Sequence, residues 1–385
     1  VHLERLFADG FRNLSGVEIY PDPRFNVLTG DNGQGKTNTL ETIWLLAGLR
    51  SFRTRRLAET IAFDRDHAEL GARIRHHGAS TDVGLRIGGG RNIVFIDGKK
   101  QDRGRDYLGK LVAVLFTPDD LRLPFAEPAH RRRYLDRAIW THDRDFLKAM
   151  RTYEKALANR NALLRDHVGR SIDAGMLDVF DDLLSRSGAT VGVHRETFVN
   201  DFMIRVQEEF SAFAPDSLRC SLRYHAKVGG GCLDVDERAE LITAELGARR
   251  DTDRRRGFTS VGPHHDDLIL ELNGRPARVH ASQGQCRAMV LAMKIAELRS
   301  LERTHGEPPI LLMDDVSSEL DKTRNAALMA HLDALGGQVF LTTTDAAHIL
   351  VTAPTAIFNV VSGTIARRTA PGGSEPASST GSQGA

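Results

Sequence analysis

Gly30-Asp31-Asn32-Gly33-Gln34-Gly35-Lys36-Thr37 has the spacing G-x-x-x-x-G-K-T. The chemistry of such a run is phosphate binding. Its glycines let consecutive backbone N–H groups curl around an anion, and a helix N-terminus beyond them adds partial positive charge. Lys36 is placed to reach the β- and γ-phosphates, and the Thr37 hydroxyl to ligate Mg²⁺. The expected contact set runs from Gly30 through Asp31, Asn32, Gly33, Gln34, Gly35, Lys36 and Thr37 to Asn38. A second group lies far downstream, where the apolar run Ile310-Leu311-Leu312-Met313 ends in Asp314-Asp315. Asp314 is expected to hold Mg²⁺ through its hydration shell, and Asp315 to orient or deprotonate an attacking water. Between these two groups, Ala281-Ser282-Gln283-Gly284-Gln285 opens a helix. Ser282, Gln283 and Gly284 can form a second anion cradle there, although Ser-Gln-Gly-Gln in isolation is more often a helix N-cap than a nucleotide contact.

The elements that must position these groups follow from hydrophobic period. Phe25 to Leu28 is an apolar strand leading into the glycine loop, and a helix opens at Lys36, which is the context the loop requires. Gly16 to Tyr20 reads as a further short strand. His67 to Arg75, Asp82 to Ile87 and Asn92 to Ile96 alternate apolar and polar residues between glycine-rich turns, predicting an antiparallel meander. Leu111 to Phe116 is continuously apolar and reads as a buried strand. From Pro118 the period changes. Phe146, Met150, Tyr153 and Leu157 form a helical stripe, and Leu177, Leu184, Val191 and Phe198 recur every seven residues on a partner helix. The last third returns to alternation, with a strand near Leu268 to Leu272, an Asn273-Gly274 turn, a helix from Gln283 and strands near Ile310 and Val339. The tail after Thr369 lacks apolar anchors and is expected to be disordered.

At 385 residues the chain has room for two or three cores. No run reaches the apolar length of a membrane span and no signal-like segment opens the chain, so a membrane partner is not expected. Cys220, Cys232 and Cys286 are widely spaced with no C-x-x-C pair, which points to a reduced, cytoplasmic setting. The net charge of +1 hides local bias: residues 131 to 170 hold eleven Lys or Arg against five Asp or Glu, and Arg249, Arg250, Arg254, Arg255 and Arg256 cluster again. Each cluster reads either as a phosphate-gripping patch or as a solvated helical face.

The order of these motifs resembles that of ABC-type ATPases, with Ser317-Ser318-Glu319-Leu320-Asp321 similar to their D-loop and Ser282-Gln283-Gly284 to their signature loop. Phe11-Arg12-Asn13-Leu14 resembles the F-R-N segment of SMC-like heads. The run GDNGQGKTNTLETI is similar to the corresponding loop of the RecF family. Ser51 to Thr54, Phe116 to Leu121, Arg131 to Asp136 and Gly262 to Asp267 resemble further RecF blocks.

This resemblance implies an α/β ABC-type head, residues 1–117 and 251–369, around an inserted, mainly helical arm, 118–250, with a tail at 370–385. It implies ATP with Mg²⁺, nucleotide contacts that include Arg12 and Asn13, and catalytic roles for Lys36, Asp315 and Ser282, the last acting on ATP held by a second copy. It also implies an ATP-dependent homodimer on duplex or gapped DNA, weak DNA-stimulated ATPase activity, and cooperation with RecO and RecR in placing RecA at gaps. A transporter ATPase subunit and a non-catalytic DNA scaffold are the alternatives. The family pattern is not matched everywhere. Phe340-Leu341-Thr342-Thr343-Thr344-Asp345 stands where most ABC ATPases have a switch histidine. Cys286 is read as buried helix, and His264 and His265 as a loop near the nucleotide rather than a metal site.

Overall fold

The computed structural model describes residues 1–54, 56–101, 107, 109–140, 143–167, 174–215, 217–231, 234–344 and 355–368. The expected disordered tail, Cys232 and Asp345 lie outside the described residues. The chain begins with β1 (His2–Asp9) and β2 (Val17–Ile19), then β3 (Phe25–Thr29) leads into α1 (Lys36–Gly48). The expected meander follows as β4 (His67–His76), β5 (Ala79–Gly88), β6 (Ile93–Ile96) and β7 (Lys99–Gln101). With β1 and β2 it forms a six-stranded sheet in the order β2-β1-β4-β5-β6-β7. Strand β1 was not read from the sequence.

A second six-stranded sheet is assembled from distant segments. It comprises β3, β8 (Ala113–Phe116), β12 (Ile310–Asp314), β13 (Val339–Thr343), β14 (Thr355–Val361) and β15 (Thr364–Arg367), in the order β15-β14-β3-β13-β12-β8. All its pairs are parallel except β14–β15. Its inner strands are covered on both faces, which is why they read as unbroken apolar runs. Successive side chains enter two different cores. Phe25, Val27, Val114, Phe116, Leu311, Met313, Val339 and Leu341 face one. Leu28, Ala113, Leu115, Ile310, Leu312 and Phe340 face the other, with α1 and the antiparallel sheet.

Between β8 and β12 the chain is mostly helical. Here lie α2 (Pro118–Leu121), α3 (Pro128–Trp140), α4 (Arg144–Asp166), α5 (Ala174–Phe210) and α6 (Val235–Arg256), followed by α7 (Ala277–His280) and α8 (Gln283–His305). Helix α9 (Lys322–Leu335) separates β12 from β13. The stripe Phe146, Met150, Tyr153 on α4 is buried against α5, as the period predicted. The helical stretch is interrupted by β9 (Cys220–His225), which pairs with β10 (Asp267–Leu272), and β10 turns at Asn273-Gly274 into β11 (Arg275–Pro276). Six residues whose alternation buries Cys220, Leu222 and Tyr224 gave too short a signal beside long helices. Cys286 is buried within α8, as expected, and burial pushes its thiol up to about 11.

Part of the apparent basic surplus is structural. Arg131 pairs with Asp267, Arg137 with Asp120, and Arg195 with Asp136. Arg160 is fully buried, donating to Asp181 at 2.7 Å, Asp253 at 2.8 Å and Thr259 at 2.9 Å, and so ties α4 to α5 and α6. Arg250 closes on Asp178 and Asp181 from α6. Among the described residues, the cations left exposed on α4 are Lys148, Arg151, Lys155 and Arg165, the first three at helical spacing on one face. Removing one partner of a buried pair strands the other charge, which costs about 3–5 kcal/mol. Asp253→Ala is therefore expected to lower unfolding stability by about that amount, read as a shift of the urea midpoint, whereas the exposed Asp182→Ala should stay within about 0.5 kcal/mol of the parent.

Candidate nucleotide-binding site

The carboxyl ends of β3, β12 and β13 lie side by side, with Asp314 opposite Thr342 and Thr343 opposite Thr29. Ligands of open α/β sheets bind at such strand ends. The glycine loop leaves β3 here and enters α1 at Lys36. Gly30 has φ +151, and a Cβ there would collide with the Val360 carbonyl of β14, so only glycine lets the loop start this close to the sheet. Lys36 is buried, and its ammonium donates to the carbonyls of Gly30 and, at 2.9 Å, Asp31, folded across the loop. Asp31, Asn32 and Gly33 are exposed, so the cradle opens outward.

Two threonines hold Asp314. Thr37 Oγ1 donates to Asp314 Oδ1 at 2.8 Å, and Thr342 Oγ1 donates to the same oxygen at 2.9 Å. Burial raises the Asp314 carboxyl above its ordinary range, partly offset by these two hydroxyls, while Asp315 pushes in the same direction as burial. A carboxylate in that environment, beside a hydroxyl on a helix N-terminus, is a donor set suited to a hard cation with several waters. Asp315 adopts φ +50, its N–H donates to Thr342 Oγ1 at 2.9 Å, and its Oδ1 is buried with no hydrogen-bond partner. An aspartate in left-handed backbone with an orphaned oxygen is strained in the way functional carboxylates are. The residues expected to hold Mg²⁺ thus fit it. Thr342, in the segment that stands where most ABC ATPases have a switch histidine, grips the carboxylate.

Around the loop is a layer that motif spacing does not reveal. Asn13 Nδ2 donates to the carbonyls of Gln34 at 3.0 Å and Gly33 at 3.4 Å, and Asn38 Nδ2 donates to Asn13 Oδ1 at 2.7 Å. Arg12 forks onto the fully buried Glu41 with two 3.0 Å bonds, and Ser51 and Arg53 converge on the same carboxylate. Arg12 therefore approaches the loop through Glu41. Arg53 also donates to Asn38 Oδ1 at 2.7 Å, which places a cation beside α1 that the residue signals left without a role. The β14–β15 turn completes the layer. Ser362 N donates to Gln34 Oε1 at 2.6 Å, and Gly363 N donates to the Gln34 carbonyl at 2.8 Å. A side chain at Gly363 would strike the Asn13 carbonyl.

Ser282, Gln283 and Gly284 lie elsewhere. Ser282 caps α8 in a reciprocal box, accepting from Gln285 N at 3.2 Å and donating its own N–H to Gln285 Oε1 at 2.8 Å, so the N-cap reading holds in this chain. Among the described residues, no hydrogen bond or ion pair joins residues 282–284 to residues 30–38, and Ser282 and Gln283 face solvent. Arg324 of α9 packs on Gly284, and Arg287 lies 3.7 Å from Glu319, so this cradle is braced by the segment after β12. His264 and His265 are not beside the glycine loop. Their partners are Tyr153 on α4 and the Thr259 carbonyl, and burial with the neighbouring His265 lowers His264 to about 4. They belong to the helical packing because their loop is tied down by Arg132 and Arg195.

The RecF/RecN/SMC N terminal domain family model matches residues 2–364. The DNA replication and repair protein RecF of Myxococcus xanthus is 42% identical over 90% of this chain and 91% of its own length. That of Anaeromyxobacter dehalogenans (strain 2CP-1) is 42% identical over 94% and 97%. The solved structure of the recombination mediator protein RecF-ATPrS in the RecFOR pathway superposes with TM-score 0.87 at 29% identity, covering 96% of this chain and 98% of the other. An Smc head bound to the C-winged helix domain of ScpA superposes with TM-score 0.54 at 15% identity, a likeness of fold alone.

Because the folded chain raises the Asp314 pKa, stability falls as pH rises from the unfolded value through the raised one, and the ionised carboxylate is a cost above that window. Asp314→Asn keeps an accepting oxygen for both threonines and removes that cost. Without divalent cation it is expected to melt higher than the parent at pH 7, with the gain vanishing at pH 3, as thermal scans at the two pH values will show.

Proposed function

This chain belongs to the RecF family of SMC-like, ABC-type ATPases, and we propose that it is an ATP-driven clamp acting on DNA during repair and replication. The observation that carries the reading is the separation of two half-sites. The glycine loop, Asp314 and Asp315 converge on one surface, while among the described residues no hydrogen bond or ion pair joins the braced, exposed Ser282 cradle to them. A second copy would present Ser282, Gln283 and Gly284 to the γ-phosphate of an ATP held by Lys36 and the loop of the first. The head would correspond to residues 1–117 and 251–369 and the arm to 118–250.

In this reading Lys36 leaves the loop carbonyls to neutralise the β- and γ-phosphates, and the backbone N–H groups of residues 33 to 37 point at the phosphate oxygens. Mg²⁺, when bound, would offset negative charge developing on the phosphates. Thr37 and Asp314 would hold it, with Thr342 fixing the carboxylate. Asp315 would take its orphaned oxygen to the attacking water. Arg53, 2.7 Å from Asn38, would bring positive charge toward the same phosphates. DNA would be gripped by the exposed cations of α4, two copies facing one another across the dimer. Support for recombination partners of the RecO and RecR kind, and for placing RecA at gaps, comes from the relatives named for repair and for the RecFOR pathway. No helix among the described residues is long and apolar enough to cross a membrane.

Ser282→Arg is the direct test. It should leave ATP binding to the loop intact and abolish ATP-driven dimerisation in sedimentation. DNA affinity should fall with dimerisation, and the residual binding should be weak and steeply salt-dependent. A variant that stays monomeric yet holds duplex DNA as tightly as the parent overturns the clamp. Asp315→Asn separates a working ATPase from a scaffold that uses ATP only for shape. Single-turnover hydrolysis should slow by about 10²–10⁴ while ATP stays bound and the dimer persists. Unchanged turnover would remove Asp315 from the chemistry.

A further inference from the structure

We infer that His76, His77 and Glu307 form a binding site for one transition-metal cation of the zinc class, remote from the nucleotide loop. His76 ends β4, His77 opens the turn into β5 at φ +48, and Glu307 stands two residues beyond α8. Their donor atoms all lie within 4.8 Å of one another. His77 Nδ1 is 3.4 Å from one Glu307 oxygen, and His76 Nε2 is 3.8 Å from the other. Ligands bound to zinc at about 2.0–2.1 Å in a tetrahedron are about 3.4 Å apart, so the first pair already has the required spacing and the second needs only a small ring rotation. His76 Nε2 is buried and has no hydrogen-bond partner, although its ring stacks on that of His77 at 4.3 Å. A nitrogen without a hydrogen bond, beside a second imidazole and a carboxylate, is placed as a metal ligand would be.

Two imidazoles and one carboxylate suit zinc and its neighbours, whereas Mg²⁺ favours oxygen donors. Three protein ligands leave a position for water. Glu307 is otherwise engaged by the His77 N–H at 2.9 Å and by the Val1 ammonium at 3.1 Å, and a bound cation would take over from the ammonium as its counter-charge. The site joins the antiparallel sheet to the far end of α8, whose 23 residues span about 34 Å from the Ser282 cradle. Metal binding would therefore pin that helix against the β4–β5 turn.

The test is calorimetric titration of ZnCl₂ into the full chain without nucleotide, in buffer containing millimolar MgCl₂, paired with thermal melts. One tight equivalent is expected, together with a zinc-dependent rise in melting temperature. Loss of an outer partner already weakens zinc sites by about 10–100-fold, and loss of a ligand should cost no less. His76→Gln and His77→Gln should each show that loss and melt as the parent does without zinc. Both leave the Val1–Glu307 pair intact, so they separate ligation from simple destabilisation. Asp314→Asn should keep the equivalent. Absence of a tight equivalent in the parent, equal affinity in the histidine variants, or an equivalent that disappears with Asp314→Asn would each overturn the proposal.

Discussion

Everything in the candidate site depends on one carboxylate oxygen accepting from two hydroxyls. Asp314 Oδ1 receives Thr37 from the head of α1 and Thr342 from the end of β13, so three segments far apart in the chain close on one atom. The parallel sheet makes this possible. With β13 lying between β3 and β12, the strand ends carrying the glycine loop, the threonines and the two aspartates are brought into line by ladder register alone. Burial raises the carboxyl's pKa and its neighbours only partly lower it, a balance that leaves the pair of strand ends needing a counter-charge. A cation is what such a buried carboxylate attracts.

Away from that point the same economy of buried charge recurs with the opposite outcome. Lys294, buried in α8, is satisfied by the Leu115 carbonyl at 2.7 Å and Glu297 at 3.0 Å, with Asp120 at 3.6 Å. Glu41 is satisfied by Arg12, Arg53 and Ser51. These closed networks fix the helices and the loop's outer layer in single positions, since a half-satisfied buried network costs more than an apolar core. Asp315 keeps a buried oxygen without a partner, as Arg160 keeps a buried Nη2.

Helix α8 links the two kinds of region. It is buried almost all round from Cys286 to Leu301, yet its N-terminus at Ser282 is exposed and its other end leads to Glu307. The helix thus connects the exposed Ser282 to the cores on either side of it. The bracing of Gly284 by Arg324 and of Arg287 by Glu319 ties that end to the segment carrying Asp315.

The amino-acid sequence by itself determined those features that local periodicity and backbone stereochemistry control. The glycine loop, the apolar strand ending in Asp314-Asp315, the meander and the α4–α5 stripe are legible because spacing, turn residues and the periods of strand and helix are local properties. Tertiary structure decided what depends on pairing across long separations. It made β9 a partner of β10, brought Ser362 and Gly363 onto Gln34, gave Glu41 its two arginines, and turned Thr342 toward Asp314 rather than toward a ligand. It also neutralised part of the basic surplus and took His264 into the helical packing, because charge and metal-like residues acquire their meaning from partners. Composition counts those partners but cannot say which of them meet.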